Sequence, residues 1–297
     1  MRVLFMGTPE FARAALENIV ECGFEVAGVV TQPDKPAGRR LILTPPPVKV
    51  FALERGLTVY QPQTLKGEEF EKILRETAPD IIVVAAYGKI LPGTVLAYPK
   101  HGCVNIHASL LPKYRGASPI SAAVINGEKT TGITIIQMDE GIDTGDIILK
   151  REIPIGEDET FGELYGRMAE LGGEAIAEAL EQIKTGTAAR EKQPEEGAGY
   201  AGKLNKEDCE LDTCLPVRKI YDKIRGLSPV PAAYTWFDSK KLKIFKAKIS
   251  SGGTKIELLE VQLEGGKRMS AEDFINGRKN NSYGFGEGSV FKFPDKT

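Results

Sequence analysis

The sequence predicts a two-part α/β chain: a doubly wound, mostly parallel sheet in residues 1–185, a linker over 186–204, and a small β-rich domain in 205–297. Three observations carry this. Short apolar runs alternate with stretches of helical periodicity through the first half, as expected of strands joined by crossover helices. The run Ile81-Ile82-Val83-Val84-Ala85-Ala86 is apolar at every position, so both faces of that strand are covered by helices. After a polar, Gly- and Glu-rich stretch at 186–202, the text turns to short β-prone runs separated by turn residues.

Taken in order, residues 2–6 read as a buried strand. Gly7-Thr8-Pro9 follows, with Thr8 placed to cap a helix and Pro9 suited to its first turn. Phe11, Ala15, Leu16, Ile19 and Val20 recur at helical spacing, and Gly23 is a natural stop. An apolar run at 24–30, a Pro-rich loop and a helix around 48–55 come next, then strands at 80–86, Cys103–His107, 133–138 and 147–153. Residues 160–184 form the clearest helix. Thr160 and Glu163 make a capping box, and Gly172-Gly173 in its middle predicts close packing, because each Gly costs about 1 kcal/mol relative to Ala. A helix near 215–224 then precedes β-prone stretches at Ala233–Phe237, 242–249, 255–263 and 290–293, a pattern that fits a small barrel or a sandwich.

Charge is split along the chain. Residues 1–200 carry 21 Lys+Arg against 28 Asp+Glu, whereas residues 201–297 carry 18 against 13. A basic C-terminal third on an acidic body is compatible with a polyanionic partner, and equally with a solvated surface. Four cysteines are too few for a disulfide framework, which points to a reduced, cytoplasmic setting. The opening Met1-Arg2-Val3-Leu4-Phe5-Met6-Gly7 turns polar too soon for a signal peptide, and no apolar run reaches membrane length. A soluble monomer with no membrane association is expected.

Chemistry concentrates at the end of Cys103–His107. Asn105 and His107 are two residues apart on one strand, so their side chains share a face while Val104 and Ile106 pack on the other. Asn offers two N–H donors, and His changes charge near neutral pH. The acidic loop Met138-Asp139-Glu140-Gly141-Ile142-Asp143-Thr144-Gly145-Asp146 can supply a carboxylate. With no Ser or Cys nucleophile nearby, the set suggests transfer of a carbonyl group without a covalent enzyme intermediate. Asn105 and a protonated His107 would stabilise the oxyanion, a contribution on the order of 3–4 kcal/mol per donor, and Asp143 would orient His107 or relieve an attacking ammonium of its proton. The bland alternative has Asn105 satisfying a turn and His107 a buried backbone group.

The flanking text shifts the balance toward the chemical reading. Asn105-Ile106-His107 with Ser109-Leu110-Leu111-Pro112, then Asp143-Thr144-Gly145-Asp146, resembles the 10-formyltetrahydrofolate-dependent formyltransferases. Further segments are similar to the branch of that family that formylates methionine esterified to initiator tRNA. They are Phe5-Met6-Gly7-Thr8-Pro9-Glu10-Phe11-Ala12, Val30-Thr31-Gln32-Pro33-Asp34-Lys35-Pro36-Ala37-Gly38-Arg39, Ala85-Ala86-Tyr87-Gly88-Lys89-Ile90-Leu91-Pro92, Tyr114-Arg115-Gly116-Ala117-Ser118-Pro119-Ile120 and Ile224-Arg225-Gly226-Leu227-Ser228-Pro229-Val230-Pro231-Ala232-Ala233-Tyr234.

The resemblance implies a Rossmann-like formyltransferase domain followed by an OB-like barrel. It implies Asn105, His107 and Asp143 as the catalytic set, with 10-formyltetrahydrofolate as formyl donor and no metal. It places folate against Ser109, Leu110, Leu111, Pro112, Ala86, Tyr87, Gly88, Ile90, Leu91 and Asp139, and tRNA against Arg39, Arg40, Lys241, Lys243 and Lys246. Two departures stand out. The loop after Arg39 reads Arg40-Leu41-Ile42-Leu43, less basic than the family's, and Val230 stands between two prolines where the family often has Trp. Formylation of an amino sugar and hydrolysis of formyl-folate are the alternative outcomes of the same folate site. His101, Cys103 and His107 lack zinc spacing, the acidic loop falls short of a calcium pattern, and Gly7-Thr8-Pro9 lacks the glycines of a dinucleotide loop, so it is read as tight packing.

Overall fold

The structure is a computed structural model, and it describes residues 1–38, 41–277 and 291–292. Two compact units emerge: Met1–Gly116, Gly132–Ile153 and Tyr165–Tyr200 make up the first, and Ala117–Thr131, Pro154–Leu164 and Ala201–Thr297 the second. The second unit therefore draws on two short segments from within residues 1–185.

In chain order the first nine strands are β1 (Arg2–Gly7), β2 (Glu25–Val30), β3 (Lys35–Ala37), β4 (Ile42–Thr44), β5 (Val59–Tyr60), β6 (Ile81–Ala85), β7 (Cys103–His107), β8 (Thr130–Gln137) and β9 (Ile147–Pro154). Between them lie α1 (Glu10–Glu21), α2 (Pro47–Glu54), α3 (Glu68–Thr77), α4 (Gly93–Leu96) and α5 (Pro119–Ile125), and α6 (Phe161–Thr185) follows. Seven strands form one sheet in the order β5-β2-β1-β6-β7-β8-β9, and β3 pairs with β4 as a separate hairpin. Pairing is parallel from β5 through β7 and turns antiparallel at β7–β8. This is the expected doubly wound, mostly parallel sheet.

The continuous apolar strands are covered on both faces. Every residue of β6 is buried, and Leu4, Met6, Ile82 and Val84 pack against Phe70, Ile73 and Leu74 of α3 and Val95 of α4. On the other face lies α6, where a Cβ on Gly172 would sit 3.3 Å from both Ile106 of β7 and Phe11 of α1. A Cβ on Gly173 would sit 3.0 Å from Asn18 Cβ, so the paired glycines let α6 lie down on α1 and the sheet. The capping box at its start is formed: Glu163 N donates to Thr160 Oγ1 at 3.3 Å and Thr160 N to Glu163 Oε2 at 2.9 Å.

Thr8 departs from expectation. The residue capping α1 is Pro9, without a side-chain cap, and Thr8 Oγ1 instead donates to Tyr87 O at 3.3 Å. Gly7 is a packing residue as expected, since a Cβ there would meet Ala12 Cβ at 2.6 Å. Residues 186–200 of the expected linker are fastened along the first unit. Ile147 and Glu191 exchange backbone bonds of 2.7 and 2.9 Å, Gly199 N donates to Pro112 O, and Arg115 N to Gly199 O.

The second unit holds α7 (Val217–Leu227), β10 (Ala233–Phe237), β11 (Lys240–Ile249), β12 (Ile256–Leu263), β13 (Met269–Ser270), α8 (Ala271–Asn276) and β14 (Phe291–Lys292). Its five-stranded sheet runs antiparallel through β10-β11-β12-β13, with β14 joining β12 in parallel; the rest of the strand expected at 290–293 lies outside the described residues. Leu242, Ile244, Ile256, Leu258 and Val261 turn inward onto Ile220, Ile224 and Leu227 of α7 and Phe274 of α8. α7 approaches α5 closely at Gly226, where a Cβ would meet Ile125 Cγ1 at 2.6 Å.

Candidate active site

β7 is a central strand whose carboxyl end carries the two predicted polar groups, as the alternation of side chains requires. Both point to the same carboxylate. Asn105 Nδ2 donates to Asp143 Oδ1 at 3.1 Å, and His107 Nδ1 lies 3.4 Å from Asp143 Oδ2. The same Oδ2 accepts from Gly116 N at 2.8 Å. Asn105 and His107 thus form one cluster with Asp143, which lies 38 positions beyond Asn105 in the chain.

The loop between β8 and β9 holds Asp143 in a demanding conformation. Gln137 N donates to Asp146 O at 2.8 Å and closes the loop at its base, and a Cβ on Gly145 would collide with Gln137 O. Asp139 Oδ1 accepts from Gly141 N at 3.1 Å and Thr144 Oγ1 at 2.7 Å. Asp143 itself has φ +54°, the left-handed region that Asp tolerates better than most residues.

His107 is only 4% exposed, and its two ring nitrogens face acceptors: Tyr114 O at 2.9 Å from Nε2, and Asp143 from Nδ1. A carbonyl cannot donate, so Nε2 carries the proton, and Nδ1 shares the next one with the carboxylate. Burial pushes the imidazole below its ordinary pKa of 6.5, against the pull of Asp143 and of the Tyr114 carbonyl. Desolvation, which the sequence does not reveal, outweighs the neighbouring charge in setting that direction.

The segment after β7 is built into the protein interior. Ser109 Oγ donates to Lys113 O at 2.6 Å, Thr134 Oγ1 donates to Ser109 O at 2.6 Å and accepts from Leu111 N at 3.1 Å, and the Leu111–Pro112 peptide is cis. Leu111 packs with Ile136 and Ile147, whereas Leu110 and Pro112 are half-buried. At the carboxyl end of β6, Ala86, Gly88 and Ile90 are exposed, Ile90 by 80%, while Tyr87 and Leu91 are buried. The Tyr87 hydroxyl is buried without a hydrogen-bond partner among the described residues, and burial lifts its pKa to about 12. Asp139 is exposed and spends Oδ1 on its own loop.

Of the expected tRNA contacts, Arg39 and Arg40 lie outside the described residues. Lys241, Lys243 and Lys246 all lie on β11. Lys241 Nζ sits 4.0 Å from the Tyr234 ring centroid and 5.4 Å from that of Trp236, and Trp236 Nε1 donates to Glu210. Lys243 Nζ donates to Pro231 O at 3.2 Å, Lys246 is exposed, and Val230 is exposed by 69%.

Four participants are not foreseen from the sequence. Gly116 and Tyr114 act through their backbones, which only the motif around them could signal. Gln193 and the buried Arg115 reach the site from the polar stretch and from the turn after Pro112, joined by Arg115 Nε to Gln193 Oε1 at 3.1 Å. Among the described residues no group of three or more His, Cys, Asp or Glu could hold a metal ion, and no helix is long and apolar enough to cross a membrane.

Residues 1–180 match the family described as formyl transferase, and residues 203–255 the formyl transferase C-terminal domain. A methionyl-tRNA formyltransferase of Geobacter metallireducens is 46% identical over 297 residues, covering 93% of this chain and 96% of that protein. Among solved structures, a methionyl-tRNA formyltransferase from Clostridium thermocellum superposes with TM-score 0.61 at 22% identity, covering 89% of this chain and 98% of the other. WlaRD, a sugar 3N-formyl transferase solved in the presence of dTDP and 5-N-formyl-THF, gives TM-score 0.63 at 21% identity over 84% and 87% of the two chains. At these identities the two structures show the shared fold.

Proposed function

The chain belongs to the formyl transferase family, and on that footing we propose that it transfers the formyl group of 10-formyltetrahydrofolate to the α-amino group of methionine on initiator tRNA. The observation that supports this most is the single Asp143 carboxylate gripped by Asn105, Gly116 and His107 beyond the carboxyl end of β7. In net terms, a bond forms between the methionine nitrogen and the formyl carbon, the bond from that carbon to N10 breaks, N10 takes up a proton, and one proton from the original ammonium is released. The Asp143–His107 pair receives that proton, which a neutral imidazole facing a carboxylate is suited to do.

Negative charge develops on the formyl oxygen during attack. Asn105 has two amide hydrogens and gives one to Asp143, so the second is available to that oxygen. The Nε2–H of His107 is the second donor of the site, and it serves the oxyanion by giving up its bond to Tyr114 O. Folate lies along Ala86, Tyr87, Gly88, Ile90 and Leu91 and the stretch Ser109, Leu110, Leu111 and Pro112, with Asp139 at the loop's edge. Residues 205–297 hold the tRNA, Lys241, Lys243 and Lys246 together with Arg39 and Arg40 facing phosphates. The protein acts as a monomer in the cytoplasm.

The test is turnover of Asn105→Ala, His107→Ala and Asp143→Ala at saturating substrates. Each is expected to lower kcat by roughly 100-fold or more while methionyl-tRNA binding changes by less than about 3-fold, because the lost interactions belong to the transition state. Near-normal kcat in any one of them would remove that residue from the mechanism.

A further inference from the structure

Asp143 is held from two sides, and formyl transfer as described uses only one of them. Its carboxylate meets Asn105, Gly116 and His107; its backbone meets Gln193. Gln193 Nε2 donates to Asp143 O at 2.7 Å and to Gly145 O at 2.8 Å, one amide hydrogen for each carbonyl. The other end of the same amide, Oε1, accepts from Arg115 Nε at 3.1 Å. Rotating the amide by half a turn would face its oxygen to two carbonyls and its N–H groups to a guanidinium, so its orientation is fixed.

Arg115 is 4% exposed, and Arg115 N is tied to Gly199 O at 2.8 Å. Its chain neighbours complete the arrangement. Gly116, at φ +109°, donates its N–H to Asp143 Oδ2, and Tyr114 presents its carbonyl to His107 Nε2. The bonds therefore close a ring from Arg115 through Gln193 to Asp143 and back through Gly116. We propose that Gln193 and Arg115 are positioning residues that hold Asp143 in its left-handed conformation, so that its carboxylate addresses Asn105 and His107 together. This rests on the formyl-transfer reading of the site. The polar stretch at 186–200 then acts as the arm that carries Gln193 to the site, and its backbone bonds from Glu191 to Ile147 and from Gly199 to Pro112 bracket that delivery.

The experiment is a double-mutant cycle. Gln193→Met, close in shape but unable to donate, and Gln193→Glu, which keeps an acceptor for Arg115 and loses both donors, are measured alone and in an Asp143→Ala background. Alone, each is expected to lower kcat by about 30-fold, in keeping with the cost of misplacing a catalytic group by about 1 Å, with KM for both substrates changed less than about 3-fold. In the Asp143→Ala background the further loss should shrink to less than about 2-fold, because the residue acts through a group already gone. A general structural role would lower both backgrounds by the same factor, and that result, or near-normal kcat in the single variants, overturns the proposal. If Asp143→Ala itself turned over normally, the reading of the site would fall and the positioning role with it. That outcome is distinct from failure of Gln193 alone.

Discussion

His107 shows how a single side chain can be legible in type and opaque in state. Its spacing from Asn105 puts both on one face of a strand, as the alternation of β residues requires, and the family resemblance singles out Asp143 of the acidic loop as its partner. Its charge is not legible, because that depends on how completely the fold removes the ring from water. Burial lowers its pKa from 6.5 even beside Asp143. The sign of the consequence follows: a base harder to protonate when folded contributes stability that is full above pH 6.5 and is lost as the pH falls from there through its lowered folded value. We therefore expect the Tm of the wild type to drop more steeply below pH 6.5 than that of His107→Asn, as followed by calorimetry. Parallel curves for the two proteins would mean that His107 does not titrate abnormally.

Elements are legible where apolar period and length agree, as in β1, β6, β7 and α6, and less so where a helix is short or its apolar positions are set among charges. α3 follows Gly67, and its apolar positions Phe70, Ile73 and Leu74 are set among charges. α5 begins at Pro119 and runs for only 7 residues, too few to display a helical period. The stretch around Gln193 looks like a linker because its bonds are made by backbone and amide groups that leave no periodic trace. The motif Ile224-Arg225-Gly226 likewise turns out to be architectural. Arg225, 3% exposed, pairs with the buried Asp222 at 2.7 Å, and its guanidinium also donates to Glu159 O at 2.9 Å. Arg225→Met is expected to destabilise folding by about 3 kcal/mol, since it leaves Asp222 in a dry site with only the half-exposed Arg218 as partner. Urea unfolding measures this, and a loss below about 1 kcal/mol would show that Arg218 alone satisfies Asp222.

At the scale of the molecule, residues 1–200 and 201–297 carry opposite charge balances, and the Asn105–His107–Asp143 cluster sits in the acidic stretch. An acidic body with a basic C-terminal third suits a substrate whose reactive end is small and whose remainder is a polyanion. An amino sugar would need no such surface, and a hydrolase of formyl-folate would need no acceptor. The acceptor is therefore what an experiment must decide. Labelled formyl from 10-formyltetrahydrofolate is followed onto methionyl-tRNA, uncharged tRNA and a nucleotide-linked amino sugar, measured side by side. We expect rapid labelling of methionyl-tRNA, with neither of the other two labelled and little formyl released in their presence. Formyl release at the same rate with or without methionyl-tRNA, or preferential labelling of the sugar, would contradict the assignment.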